Sequence, residues 1–267
     1  MKVAIDGVQL FVARAGNGSA VVLLHGFPLS HVIWKAQIEQ LATASHVVAS
    51  DLRGMGDSDA PPGPYLMENL ASDVAGILDA FGIARATIIG HSMGGYIALA
   101  FFRMFKERVV SLGLLCSRVE ADTPEAAEAR LRLADRVERE GMQPAVDAYL
   151  PRLLAPGASE QLSNEVADLI RAQKPHGAAA LVRGAALRGS SDDLVEDLDV
   201  PVLIVCGAED TISPLEVNRA LAARIRNSEL RVIERSAHLP MLETPETLSE
   251  TIQGFLAASQ GVRRAAP

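Results

Sequence analysis

Apolar and polar positions along the chain follow two alternating periodicities. Apolar runs of strand length occur at 8–14, 20–24, 46–50, 86–90, 109–115, 201–206 and 230–234. Segments with a helical period separate most of these runs, at 34–42, 67–81, 93–105, 215–225 and 245–258. Strands that alternate with helices are typical of a mostly parallel sheet with helices on both faces. The pattern therefore predicts an α/β fold.

One long segment departs from this alternation. Residues 118–195 are rich in Ala, Arg, Leu and Glu and contain no strand-like run. Prolines interrupt the helical pattern of this segment at positions 124, 144, 151, 156 and 175. We expect a helical cap here, inserted into an α/β core formed by residues 1–117 and 196–260. Residues 261–267 are expected to be a flexible tail.

The composition fits one sizeable core and excludes some partners. The chain has 267 residues, of which 49% are hydrophobic and 4% aromatic. Its formal net charge of -8 repels phosphates and anionic lipid headgroups. We therefore expect a small-molecule substrate and neither a nucleic-acid nor a membrane partner.

Targeting signals and cysteines bear on the compartment. The N-terminus lacks the apolar core of a signal peptide, and no stretch approaches the roughly 18 apolar residues of a membrane helix. Cys116 and Cys206 each end an apolar run, which favours buried, reduced thiols over a disulfide framework. We expect a cytoplasmic protein.

A serine lies at one of the predicted strand ends. Ligands of open parallel sheets bind beyond the carboxyl ends of the strands, so residues that directly follow apolar runs are the first functional candidates. Among these is Ser92, in the run Gly90-His91-Ser92-Met93-Gly94 between a predicted strand and a predicted helix. Small residues at 90 and 94 allow a sharp turn that lifts the serine above the sheet. Ser92 is therefore the candidate nucleophile.

An activated serine requires a general base and a carboxylate that orients the base. His238 follows the last predicted strand and should reach the same sheet edge as Ser92. Asp210 follows the strand 201–206 and is the candidate orienting acid, with Glu209 as the fallback. Structural or surface roles are expected for the histidines at positions 31, 46, 91 and 176.

These motifs together resemble the α/β-hydrolase fold superfamily, in its serine-nucleophile branch. The resemblance is carried by segments 25–28, 51–58, 90–95, 207–214 and 238–243. It implies a doubly wound, eight-stranded, mostly parallel sheet with an inserted helical cap. It also implies an oxyanion hole formed by the backbone N–H groups of Phe27 and Met93, a structural role for His25, and a loop-bracing role for the charged residues at 51, 53 and 57.

The chain is most similar to 3-oxoadipate enol-lactonases and small carboxylesterases within that superfamily. This resemblance implies hydrolysis of an ester or lactone through an acyl-enzyme intermediate. A serine at the turn 90–94 argues against haloalkane dehalogenases and epoxide hydrolases, which use an aspartate there as the nucleophile. A cofactor-free haloperoxidase or perhydrolase, a carbon–carbon bond hydrolase and a non-catalytic ligand-binding protein remain as alternatives.

The cap contributes many arginines that bear on the substrate. They lie at positions 130, 132, 136, 139, 152, 171, 183 and 188. A substrate carboxylate could be held by such a side chain, but the spacing around Arg130 and Glu138 favours a solvated helix face. No metal or cofactor motif is visible, so we expect neither. The sequence leaves the substrate and the oligomeric state open.

Overall fold

Eight strands form one sheet in the computed structural model of the protein, which describes residues 1–264. In chain order the strands are β1 (Lys2–Ile5), β2 (Val8–Ala15), β3 (Ser19–Leu24), β4 (Ser45–Ser50), β5 (Ala86–His91), β6 (Val109–Leu115), β7 (Val202–Gly207) and β8 (Ser228–Ile233). Their order across the sheet is β1-β2-β4-β3-β5-β6-β7-β8. β1 and β2 pair antiparallel, as do β2 and β4, and all other neighbours are parallel.

The α-helices lie in the segments between strands and after β8. They are α1 (Lys35–Leu41), α2 (Met67–Ala80), α3 (Met93–Met104), α4 (Pro124–Glu140), α5 (Gln143–Leu153), α6 (Glu160–Arg171), α7 (Pro175–Ala186), α8 (Leu215–Arg224), α9 (Pro240–Glu243) and α10 (Pro245–Arg264). α1 packs against α10, and α2 packs against α3. The predicted α/β class with a mostly parallel sheet is confirmed.

The central strands are buried on both faces, which explains why they are continuous apolar runs. Every residue of β5 and of β7 is buried, as parallel strands covered by helices require. β1 is short and mostly not buried, so its weak signal was not among the predicted runs. The inner strands bring their carboxyl ends to one sheet edge.

Four helices, α4 to α7, lie between β6 and β7. α7 packs against α4 and also contacts the segment after β4, where the Tyr65 N–H donates to the Ala180 carbonyl at 3.1 Å. Lys174 donates to the carbonyls of Gly56 and Ser58. These bonds hold the helices of residues 118–195 over the sheet edge. α10 continues to Arg264, and residues 265–267 of the expected tail lie outside the described residues.

Cys116 and Cys206 are both free and buried, as predicted. Among the helices of residues 1–264, none is long and apolar enough to cross a membrane.

Candidate active site

Ser92 occupies a tight turn between β5 and α3. Its backbone is in the left-handed region, with φ 52°, which is uncommon for a residue other than glycine. A Cβ added at Gly90 would lie 2.1 Å from the Gly94 carbonyl oxygen, and one at Gly94 would lie 2.3 Å from the Leu24 carbonyl oxygen. The Ser92 N–H donates to Leu115 O at 2.8 Å. Only glycines at 90 and 94 allow this close approach, and strained turns of this kind occur at functional sites.

The structure brings Ser92, His238 and Asp210 into one hydrogen-bonded line. Nδ1 of His238 lies 2.8 Å from Oδ2 of Asp210, and Nε2 of His238 lies 2.9 Å from Oγ of Ser92. A carboxylate only accepts, so Nδ1 carries the proton and Nε2 is free to accept from the serine hydroxyl. This arrangement can transfer a proton from Ser92 to His238. Glu209, the fallback acid, is exposed and takes no part in this line.

Asp210 is held as an anion. Burial by itself would raise its pKa, but the charge of His238 and the hydrogen bond from it lower the pKa of Asp210 below its ordinary value. The N–H groups of Ile212 and Ser213 donate to Oδ1 at 2.7 and 3.0 Å and add to that shift. A buried carboxylate that stays ionised can orient the histidine and stabilise its protonated form.

Phe27 and Met93, the predicted oxyanion donors, both lie beside Ser92. All three residues line one cavity of about 380 Å³. Within residues 1–264, neither the Phe27 N–H nor the Met93 N–H has a hydrogen-bond acceptor. Met93 is the first residue of α3, where backbone N–H groups have no intrahelical acceptor. Two such donors beside a nucleophile can bind a developing negative charge.

This cavity is smaller than another hollow of about 590 Å³, lined by residues of α1, α6 and α9. The larger hollow is mainly apolar and contains none of the predicted site residues. The cavity at Ser92 has the candidate nucleophile, the two candidate oxyanion donors and several charged side chains. We therefore expect the substrate to bind in the smaller cavity, next to Ser92.

His25 and Asp51 have the structural contacts expected of them. His25 is fully buried, donates from Nδ1 to Gly26 O, and accepts from the Leu52 N–H at Nε2, 3.0 Å away. Asp51 accepts from the backbone N–H groups of His31 and Asp57 at 2.7 and 2.9 Å. Both side chains tie the loops after β3 and β4 together, and neither contacts Ser92.

Arg53 also braces this part of the fold. Its guanidinium donates two hydrogen bonds to Asp73 of α2, at 2.7 and 2.5 Å. This forked geometry fixes the position of a loop rather than leaving a free cation.

Glu243 holds the loop that carries His238, a role that sequence reasoning missed. Its Oε2 accepts from the Ala237 N–H at 2.9 Å and from the Ser236 hydroxyl at 3.1 Å. Its Oε1 accepts from the Ala155 N–H of the cap at 2.7 Å. One carboxylate therefore joins the cap to the loop of the histidine. Its position in the run 238–243 was the only sequence signal.

A second link joins the cap and this loop through the backbone. The His238 N–H donates to the Leu153 carbonyl, at the end of α5, at 3.1 Å. The cap thus holds the histidine as well as covering the cavity.

His91, for which a structural or surface role is expected from the sequence, lies against the proposed base. It is fully buried, and its Nε2 donates to the His238 carbonyl at 2.7 Å. Burial and the neighbouring His238 lower the pKa of His91 to about 3. Its Nδ1 has no hydrogen-bond partner among the described residues. His91 is a neutral imidazole that fixes the backbone of its neighbour.

Three potential metal ligands also meet here. Nitrogens of His91 and His238 and the Cys116 sulfur lie within 4.8 Å of one another. They do not fit a metal centre, because both nitrogens of His238 are engaged by Asp210 and Ser92. Burial raises the pKa of Cys116 well above its ordinary value, so its thiol stays protonated.

Comparison with known proteins identifies the family of the chain. Residues 19–245 match the model of the family described as alpha/beta hydrolase fold. A thermophilic esterase from Thermogutta terrifontis, solved with malate bound, has 37% identity and a TM-score of 0.95, covering 97% of this chain and 99% of that one. An enol-lactonase from Burkholderia xenovorans LB400 has 27% identity and a TM-score of 0.88, covering 96% and 100%.

A sequence relative points the same way. The 3-oxoadipate enol-lactonase 2 of Acinetobacter baylyi is 27% identical, over 84% of this chain and 83% of its own length. The predicted resemblance to esterases and enol-lactonases is therefore confirmed.

Proposed function

Because the chain belongs to the alpha/beta hydrolase fold family, we propose that it hydrolyses a small carboxylic ester or lactone through an acyl-enzyme intermediate. The observation that carries this proposal is the unbroken pair of hydrogen bonds from Ser92 to His238 and from His238 to Asp210, at 2.9 and 2.8 Å. Esterase and lactonase relatives at 27–37% identity support the choice of bond.

In the first half of the proposed reaction, Oγ of Ser92 attacks the carbonyl carbon of the substrate. His238 takes the serine proton at Nε2 as the new carbon–oxygen bond forms. The negative charge that develops on the carbonyl oxygen is bound by the N–H groups of Phe27 and Met93. Each such donor contributes about 3 kcal/mol to the stability of the transition state.

Collapse of this intermediate breaks the bond to the alcohol oxygen, which receives the proton from His238. In a lactone the released hydroxyl stays attached to the acyl group. Water then attacks the acyl-enzyme, with His238 as its base, and the acid leaves Ser92. Asp210 remains ionised throughout and stabilises the protonated imidazole.

Hydrolysis of a short-chain p-nitrophenyl ester by the purified protein and by the Ser92→Ala variant tests this proposal. We expect turnover by the unchanged protein and loss of nearly all turnover in the variant. Binding of ligands without turnover, or equal rates for the two proteins, would contradict it. Ser19→Ala is a matched control, because Ser19 is exposed and is the first residue of β3, at the opposite end of the parallel strands from Ser92.

The same protein sample can be assayed for the bromination of an organic acceptor in the presence of bromide, peroxide and acetate. Ester hydrolysis faster than bromination is expected. The reverse ranking would favour a perhydrolase over an esterase.

A further inference from the structure

The cavity at Ser92 is unusually rich in positive charge for a chain of this sign. Arg118, Arg130 and Arg152 line it, whereas Asp122 is the single carboxylate among its lining residues. The chain as a whole has a formal net charge of -8. A general excess of basic residues therefore does not explain why three arginines line the cavity at Ser92.

Only one of these arginines is neutralised by an ion pair. Arg130 forms a fork with Asp122, at 2.5 and 3.4 Å. Arg118 donates to the Ile212 carbonyl, and Arg152 lies 3.4 Å from the Thr211 carbonyl. Within residues 1–264, neither has a carboxylate within 4 Å. Each guanidinium has further N–H donors beyond these carbonyl contacts.

A fourth arginine, Arg188, adds positive charge next to the cavity without lining it. The Arg188 guanidinium lies 3.7 Å from the centre of the Tyr96 ring, and Tyr96 lines the cavity. The Arg188 side chain is 6% exposed, and its nearest carboxylate oxygen, on Asp122, is 3.8 Å away. Asp122 is thus shared by two arginines, and the four arginines together with Asp122 carry a net charge of +3.

From this arrangement we infer that the cavity holds a substrate carboxylate, bound by Arg118 and Arg152 while the ester carbonyl lies at Ser92. This inference rests on the proposed function and specifies its substrate class: an ester or lactone of a dicarboxylic acid or a hydroxy acid with a free carboxylate. Arginine guanidinium groups bind carboxylates through paired, charge-assisted hydrogen bonds. Asp122 is the carboxylate already present in the lining of the cavity. The carboxylate of the substrate would add a second negative charge beside the unpaired arginines.

The expectation that the cap arginines lie on a solvated face is therefore wrong for Arg130. Its side chain is 21% exposed and lies against Tyr149, inside the cavity lining. Arg139 of the same helix fits that expectation, since its side chain is 70% exposed and, among the described residues, forms an ion pair only with Glu140.

Matched substrates test the inference. Mono-4-nitrophenyl glutarate carries a free carboxylate, and 4-nitrophenyl pentanoate is its neutral analogue of the same chain length. The ratio of kcat/KM for the anionic to the neutral ester, after subtraction of spontaneous hydrolysis, measures the carboxylate contribution. We expect a ratio above one, and a fall of about tenfold or more in Arg118→Gln and in Arg152→Gln, since a tenfold change corresponds to about 1.4 kcal/mol.

The control is Arg139→Gln, which removes the same charge from the cap surface. Its ratio should equal that of the unchanged protein. An unchanged ratio in all three variants, or a preference for the neutral ester, would overturn the carboxylate site. Turnover of the neutral ester that depends on Ser92 would still support the proposed function, so the two proposals fail separately.

A binding measurement separates recognition from turnover. In the Ser92→Ala protein, calorimetric titration with glutarate should detect binding that weakens in the double variant with Arg118→Gln. Equal binding of glutarate in both proteins would contradict the assignment of Arg118.

Discussion

The imidazole of His91 lies against that of His238, with ring centroids 4.9 Å apart, and its Nε2 donates to the His238 backbone carbonyl at 2.7 Å. One histidine of the pair can accept a proton from Ser92, while the other is fully buried and stays neutral. Two adjacent residues thus contact His238 in different ways. His91 donates to its backbone carbonyl, and the hydroxyl of Ser92 bonds to its side chain.

His91 should make the protein less stable as the pH falls. Its pKa is about 3 in the folded protein and about 6.5 in an unfolded chain. Between these values the unfolded state binds one more proton, so the free energy of unfolding falls by about 1.4 kcal/mol per pH unit as the pH decreases. Urea denaturation at pH 7 and pH 5 measures this slope.

The His91→Gln variant should lose this component and show a shallower slope. Gln can still donate to the His238 carbonyl, so the fold is expected to persist. His176→Gln removes an exposed histidine and should leave the slope as it is. Identical slopes for all three proteins would contradict a buried, neutral His91.

Asp210 should be essential while its neighbour Glu209 is not. An Asp210→Asn change removes the charge that stabilises protonated His238 and is expected to lower kcat by about 10⁴-fold. Glu209→Gln changes an exposed side chain and should leave kcat within about twofold. Steady-state ester hydrolysis by both variants decides between the two acids, and the opposite pattern would assign the role to Glu209.

Glu243 is expected to act through the position of His238. Glu243→Gln removes the charge that accepts hydrogen bonds from Ala155, Ser236 and Ala237. A displaced base lowers kcat by about 10- to 100-fold, with little change in KM. Loss of charge-assisted bonds should also reduce the free energy of unfolding by about 2 kcal/mol.

Glu246→Gln, an exposed residue three positions further on, is the control for Glu243 and should change neither quantity. If Glu243→Gln lowered only the free energy of unfolding and left kcat unchanged, its role would be structural alone.

Two glycine-to-alanine changes should have opposite signs. At Gly90 the new Cβ would lie 2.1 Å from a backbone oxygen, so the free energy of unfolding should fall by about 2 kcal/mol or more. Gly254 is exposed on α10 with nothing within 4 Å of an added Cβ. Alanine there should raise the free energy of unfolding by about 0.5–1 kcal/mol. Thermal and chemical unfolding of the two variants measure both changes.

Local patterns in the sequence determined most of the architecture. Apolar runs such as 86–90 and 201–206 become central strands because a strand covered on both faces must be apolar along its length. Residues that follow such runs reach one sheet edge, which is why Ser92, Asp210 and His238 could be selected from their positions after these runs and from the chemistry that an activated serine requires. Their catalytic roles stay predictions. The hydrogen bonds from Ser92 to His238 and from His238 to Asp210 are those that such roles require.

Tertiary structure decided which side chains surround that line. His91 and His238 are 147 positions apart, and Glu243 contacts Ala155 across 88 positions; no local period encodes such pairs. The orientation of the cap likewise turns Arg130 into the cavity and leaves Arg139 outside. Helical periodicity gives both arginines a place on one amphipathic helix, but only the packing of that helix against the others determines which of them lines the cavity.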